Sequence, residues 1–262
     1  MKVIPLQGEK PSPSEGVGRG QILGVIPARY ASTRFPGKPL VNIGGKSMIQ
    51  RVYEQAKKCI SFGEVVVATD DDRIFSHVTD FGGKAVMTSA EHQSGTDRCA
   101  EVAESYPDYD VVINIQGDEP FIDPEQLTKV AACFLDPETQ IATLIKKVAN
   151  AEELVNVNHP KVLINHFAEA IYFSRSPLPH IRGVEQKDWL KHYTYFKHIG
   201  VYGYRADILK QITKLPVSPL EKAESLEQLR WIENGFFIKV AETELETYAI
   251  DTPEDLKKLP KL

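Results

Sequence analysis

The sequence predicts an α/β fold, a mostly parallel central sheet with helices on both faces. Short β-branched or apolar runs alternate with stretches of helical spacing through the first half of the chain. The runs are apolar on both faces, as strands covered from both sides must be. Three polar segments, "PARYASTR", "TDDD" and "QGDEP", fall just past predicted strands, which is where ligands sit in such sheets.

The elements follow in order. Residues 1–20, rich in Pro, Gly and Ser, have neither the apolar core of a signal peptide nor the Arg-rich pattern of a transit peptide, so a flexible extension is expected there. Residues 21–262 are expected to form one domain. Strands are expected at 22–26, 64–68, 85–87 and 111–115, with helices at 47–58, 71–81 and 95–105 between them. Asp71 and Thr96 lie near helix starts. A helix from Pro124 to about Leu135, a strand at 141–147 and two short strands at 162–165 and 170–173 come next. Residues 174–197 are rich in Pro, His and aromatics without a period, which predicts a small excursion serving dimerisation or acting as a lid. A strand at 198–204, helices at 206–213 and 225–234, a strand at 237–242 and a last helix after Thr252 complete the chain.

Composition narrows the function. With 42% hydrophobic and 26% charged residues and no apolar stretch near the ~18 needed to span a bilayer, a soluble protein without membrane insertion is expected. A net charge of −5 argues against a nucleic-acid surface, so any anion site must be local. Between Gly16 and Tyr53 there is no Asp or Glu, whereas Arg19, Arg29, Arg34, Lys38, Lys46 and Arg51 fall inside. Cys59, Cys99 and Cys133 are sparse, far apart and odd in number, which suggests buried thiols and a cytoplasmic protein.

Two phosphate-binding devices can be tested against this basic island. "LVNIGGKS" nearly meets G-x-x-x-x-G-K-S/T but has Leu40 at the leading glycine, and Ser47 reads as the cap of the next helix. "GVGRGQ" has Gln21 in place of the third glycine and precedes the first strand. What remains is a long loop after the first strand bearing Arg29, Arg34, Gly37 and Lys38, restricted by Pro36 and Pro39. Alone, it fits a solvated basic loop as well as an anion site. The acids favour the second reading. Asp118 and Glu119 stand past an apolar strand closed by Pro120, and Asp251 follows a short apolar run near the C-terminus. Two such aspartates suit Mg²⁺ shared with substrate phosphates.

The segments "IPARYASTRFPGKPL", "VVVATDD", "MTSAEHQSGTDR", "VVINIQGDEP", "YFSRSPLPH", "HIGVYGY", "SLEQLR" and "DTPEDL" occur in an order that resembles the 3-deoxy-manno-octulosonate (Kdo) cytidylyltransferase family, over about residues 22–259. The resemblance implies a Rossmann-like domain of the nucleotide-diphospho-sugar transferase kind, usually a homodimer. It implies a reaction in which CTP and Kdo give CMP-Kdo and pyrophosphate for lipopolysaccharide biosynthesis. It further implies that Arg29, Arg34 and Lys38 hold the triphosphate and that Asp118 and Asp251 bind Mg²⁺, with Arg29, Lys38, Asp118 and Asp251 carrying the catalysis. Ala68, Thr69, Ser94, Gly95, Arg98 and Gln116 are then expected around the nucleoside, and Arg175, His198, Tyr202, Glu227 and Gln228 around the acidic sugar. The sequence departs from the family at Thr247, Tyr248 and Ala249, where a glycine is usual before "DTPEDL". Two rival readings stand beside this one: a cytidylyltransferase for sialic acid or an amino-Kdo analogue, and a non-catalytic nucleotide sensor.

Overall fold

The computed structural model describes residues 21–31, 35–246 and 248–258. The expected extension at 1–20, Arg34 and Thr247 lie outside the described residues.

The first half alternates as expected: β1 (Gln21–Ala28), β2 (Asn42–Ile43), β3 (Lys46–Ser47), α1 (Met48–Ala56), β4 (Phe62–Thr69), α2 (Asp72–Asp80), β5 (Ala85–Met87), α3 (Gly95–Glu104) and β6 (Tyr109–Asn114). There follow α4 (Pro124–Cys133), β7 (Ile141–Lys147), α5 (Ala151–Val155), β8 (Lys161–Ile164), β9 (Ala170–Ser174), a 3-10 helix Gln186–Lys191 and β10 (Phe196–Arg205). The chain continues with α6 (Ala206–Ile212), α7 (Pro219–Glu224), α8 (Gln228–Glu233), β11 (Ile238–Glu242) and a 3-10 turn Asp255–Lys258.

The main sheet has the order β11-β7-β10-β6-β1-β4-β5, with the β8–β9 hairpin attached to β10. β1 is parallel to β4 and β6, β4 to β5, and β7 to β11, while β10 runs antiparallel to both β6 and β7. Side chains alternate between two cores. Ile26, Val65, Val67, Val111 and Ile113 pack under α1, α2 and α4, whereas Leu23, Val25, Val66 and Val112 pack under α3, α6 and α8. This double burial is why the strands read as continuous apolar runs.

Some local features differ from the sequence reading, and others add to it. The segment that nearly matched a P-loop is the β2–β3 hairpin, with Gly44 and Gly45 at φ 56° and 86°, a turn needing positive φ at both central positions. Ser47 does cap α1, accepting from the Gln50 N–H. The stretch expected as one helix at 225–234 is shorter: Ser225 adopts a left-handed conformation that ends α7, and α8 begins only at Gln228. After Thr252 the described chain makes a single 3-10 turn in place of a helix. The excursion at 174–197 has its own small core, in which Trp189 and Tyr195 pack with Val148 and Leu154.

Candidate active site

β6, β1 and β4 are parallel neighbours, so the loops after Asn114, Ala28 and Thr69 leave the sheet along one edge. Two glycines shape that edge. At Gly117 a Cβ would stand 2.7 Å from the Pro27 carbonyl oxygen, so only glycine lets the β6 loop lie on β1. Gly37, at φ 71°, donates its N–H to the Tyr30 carbonyl at 3.0 Å and turns the basic loop back toward the sheet.

Lys38 then meets both aspartates. Its Nζ donates to Asp118 Oδ2 at 2.7 Å and lies 3.6 Å from Asp251 Oδ1. The C-terminal segment reaches this point because the Ile250 N–H donates to the Asp118 carbonyl at 2.9 Å and the Ile250 side chain is buried with Ile43 and Met48. Asp255 accepts from the N–H groups of Asp251 and Thr252, fixing the turn that presents Asp251. Exposed Arg29 donates to the His92 carbonyl at 3.3 Å, spanning toward the loop before α3. Glu119 is buried beside Asp118, and burial first, then the Asp118 charge, pushes its pKa up to about 8, so it is mostly neutral at pH 7.

The donor set fits a magnesium ion. Two carboxylates already hold one positive charge, the Lys38 ammonium, between them, and carboxylate oxygens are the hard ligands Mg²⁺ prefers. Among the described residues no group of three or more His, Cys, Asp or Glu could hold a metal, so a magnesium ion held by this pair would take its further ligands from phosphate oxygens or water.

The residues expected around the nucleoside lie at the ends of β4 and β6 and at the start of α3. Ala68 and Thr69 are buried at the end of β4, and the Ala68 side chain belongs to the core. Ser94 caps α3 in a reciprocal pair with Asp97, and a Cβ at Gly95 would meet Pro27 at 3.4 Å. Arg98 is 1% exposed. It pairs with Asp70 at 3.0 Å and donates to the Thr88 hydroxyl, tying α3 to the segments that follow β4 and β5. Gln116 donates to the Gly200 carbonyl at 2.9 Å, joining the β6 loop to an irregularity in β10.

The residues expected at the sugar also converge. Tyr202 stands opposite Asn114 in the sheet and packs with Tyr204 and Trp231. The Tyr202 hydroxyl and Gln228 Nε2 are buried without a hydrogen-bond partner among the described residues. Buried polar atoms of this kind are costly, and a polar ligand satisfies them. Glu227 accepts from the Thr96 hydroxyl at 2.8 Å, and burial raises its pKa. A sliver of His198 reaches solvent, yet its ring packs against Phe173 and Tyr202 and its Nε2 lies 3.0 Å from the Thr143 hydroxyl. Burial pushes its pKa down to about 3, so the imidazole is neutral at pH 7 and a weak base. Arg175 donates to the carbonyls of Val157, Glu224 and Ser225, fixing the turn that leads to Glu227.

The structure adds residues the sequence reading missed. Tyr204 follows Tyr202 by two on a strand, a period that puts both on one face. Thr96 was visible only as a residue near a helix start, and Asp70 only as part of an acidic run. A groove of about 660 Å³ beside α3 and α6, bordered by Glu101, Glu104, Lys210 and Lys214, contains none of Lys38, Asp118 and Asp251.

Comparison with known proteins gives the family. A family model described as "Cytidylyltransferase" matches residues 23–261. The chain is 60% identical over 242 residues to the 3-deoxy-manno-octulosonate cytidylyltransferase of Phocaeicola vulgatus, covering 91% of this chain and 95% of that one. The enzyme of that name from Bacteroides thetaiotaomicron is 59% identical, over 90% of this chain and 96% of its own. The solved structure of CMP:2-keto-3-deoxy-manno-octonic acid synthetase complexed with CTP superposes with a TM-score of 0.84 at 44% identity, covering 91% of this chain and 96% of that one.

Proposed function

The chain belongs to the 3-deoxy-manno-octulosonate cytidylyltransferase family, and from that premise we propose that it joins CTP to Kdo, giving CMP-Kdo and pyrophosphate. The observation that carries this reading is the meeting of Lys38 with Asp118 and Asp251 at the edge where the parallel strands end. A triphosphate needs concentrated positive charge, and a carboxylate pair beside a lysine can share a divalent cation with it.

In the reaction the anomeric hydroxyl of the sugar attacks the α-phosphorus, a new P–O bond forms, and the bond to the β-phosphate bridging oxygen breaks in line. The hydroxyl proton leaves to solvent. The protein's task is positioning and charge neutralisation. Arg29 and Lys38 take up charge as pyrophosphate departs, with Arg34 expected to join them. Asp118 and Asp251 would hold Mg²⁺, which when bound supplies positive charge at the phosphates. The backbone at Ala68 and Thr69, with Ser94, Gly95 and Gln116, borders the nucleoside, and Arg98 braces that wall.

On the sugar side, Tyr202 and Gln228 offer unpartnered polar atoms to hydroxyls, Glu227 offers an acceptor, and Arg175 shapes the turn beside them. His198, neutral at pH 7, serves as a hydrogen-bond partner and not as a proton acceptor. We place the enzyme in the cytoplasm, where CTP is made, and as a homodimer. The exposed side chains of Ile171 and Tyr193, which border one groove with Ile164 and Phe196, support a subunit contact near the excursion. Among the described residues no helix is long and apolar enough to cross a membrane.

The test is a pyrophosphate-release assay crossing CTP, UTP, ATP and GTP with Kdo, sialic acid and an amino-Kdo analogue in the presence of Mg²⁺. CTP with Kdo is expected to give the highest kcat/KM. Faster turnover with another sugar would reassign the substrate, and no product with any pair would leave only a nucleotide sensor.

A further inference from the structure

We propose that Thr96 is a positioning residue that couples the nucleotide half of the site to the sugar half by holding the Glu227 carboxylate. The proposal rests on the reading above, in which Ser94 and Gly95 border the nucleoside and Glu227 the sugar.

Thr96 is the second residue of α3 and is 3% exposed. The first turn of this helix is fixed to the sheet frame. Ser94 and Asp97 close a reciprocal cap, and Gly95 lies close enough to the sheet that a Cβ there would stand 3.4 Å from Pro27 of β1 and 3.7 Å from Asn114 of β6. The Thr96 hydroxyl therefore has little freedom, and it donates to Glu227 Oε2 at 2.8 Å from 131 positions away in the chain.

Glu227 is the opposite case. It sits between α7 and α8, two residues after the left-handed Ser225, and its side chain makes no capping bond to α8. The contact from Thr96, joined by the Ser94 side chain from the same helix start, sets the direction of its carboxylate. Next to it is the unpartnered Gln228 Nε2, with the Tyr202 hydroxyl also unpartnered nearby on β10. A carboxylate held from the start of α3 faces a sugar hydroxyl in a fixed direction. The donor doing the pinning lies one residue beyond Gly95 of the nucleoside wall. The helix start that borders the nucleoside therefore also sets Glu227 for the sugar, with no contact between Thr96 and either substrate.

Thr96→Val tests this, since valine keeps the branched shape and puts a methyl in place of the hydroxyl. The expected result is a KM for Kdo raised about tenfold or more, the scale of one charge-assisted hydrogen bond, with CTP affinity by calorimetry within about twofold of wild type. Thr96→Ser restores most of the loss. In a double-mutant cycle Thr96→Val adds little once Glu227→Gln is present. The proposal is overturned if Thr96→Val leaves the Kdo KM unchanged, if CTP affinity or folding falls in step with it, or if Thr96→Ser is as impaired as the valine variant. Failure of the wild-type protein to release pyrophosphate from CTP and Kdo would instead defeat the underlying assignment, and that result needs no variant.

Discussion

Replacing Asp251 by alanine separates the integrity of the fold from the chemistry. The Asp251 side chain is 45% exposed and its ion pair with Lys38 is long, at 3.6 Å, so solvent screens it. Losing such a pair costs about 1 kcal/mol of stability at most. The segment keeps its attachment through the buried Ile250 side chain and the Ile250 N–H to the Asp118 carbonyl. In the reaction, the same carboxylate is half of the pair expected to hold the metal against the phosphates. Removing a main electrostatic stabiliser lowers turnover by at least on the order of 100-fold, about 2.7 kcal/mol of activation free energy. Steady-state pyrophosphate release at saturating CTP, Kdo and Mg²⁺, with a thermal melt alongside, reads both quantities. A turnover near that of wild type refutes the metal assignment, and a loss of turnover matched by loss of the folded state refutes the separation.

Two further outcomes follow from single contacts. Because burial lowers the His198 pKa, the unfolded chain takes up a proton below about pH 6.5 that the folded one refuses until near pH 3. His198 therefore costs stability as pH falls through that window, and His198→Gln should shrink the urea-unfolding difference between pH 7 and pH 5 by on the order of 1 kcal/mol; an unchanged difference contradicts the buried neutral ring. Gly117→Ala forces the β6 loop away from the Pro27 carbonyl. It should lose about 1–3 kcal/mol and slow turnover by displacing Asp118, and a variant with wild-type Tm and kcat shows that the loop does not need that close approach.

The strands were readable because sheets covered on both faces demand apolar runs, and β5 and β7 fall on the expected residues. The direction of β10 was not readable. Nothing in "HIGVYGY" distinguishes an antiparallel strand from a parallel one, yet this direction brings Tyr202 and His198 to the nucleotide edge. Two missed helices did carry signals: Asn150 with Glu153 before α5, and Ser218-Pro219 with Glu221 before α7, are capping patterns that the structure uses. The β2–β3 hairpin was obscured by its near match to a phosphate loop, although its paired glycines are themselves a turn signal. Site residues were nameable through the family resemblance, but their partners were not. The contacts of Lys38 with Asp118 and Asp251, of Arg98 with Asp70, and of Thr96 with Glu227 join distant parts of the chain, and no local period encodes them.

The measurement closest to the centre of this account is calorimetric titration of CTP into the wild-type protein and Asp118→Asn, each with and without Mg²⁺. If Lys38, Asp118 and Asp251 form one triphosphate and metal site, Mg²⁺ tightens CTP binding to the wild type. The variant then loses most of that gain while binding metal-free CTP at least as well, because a carboxylate facing the phosphates has been neutralised. Undiminished tightening by Mg²⁺ in Asp118→Asn would contradict it.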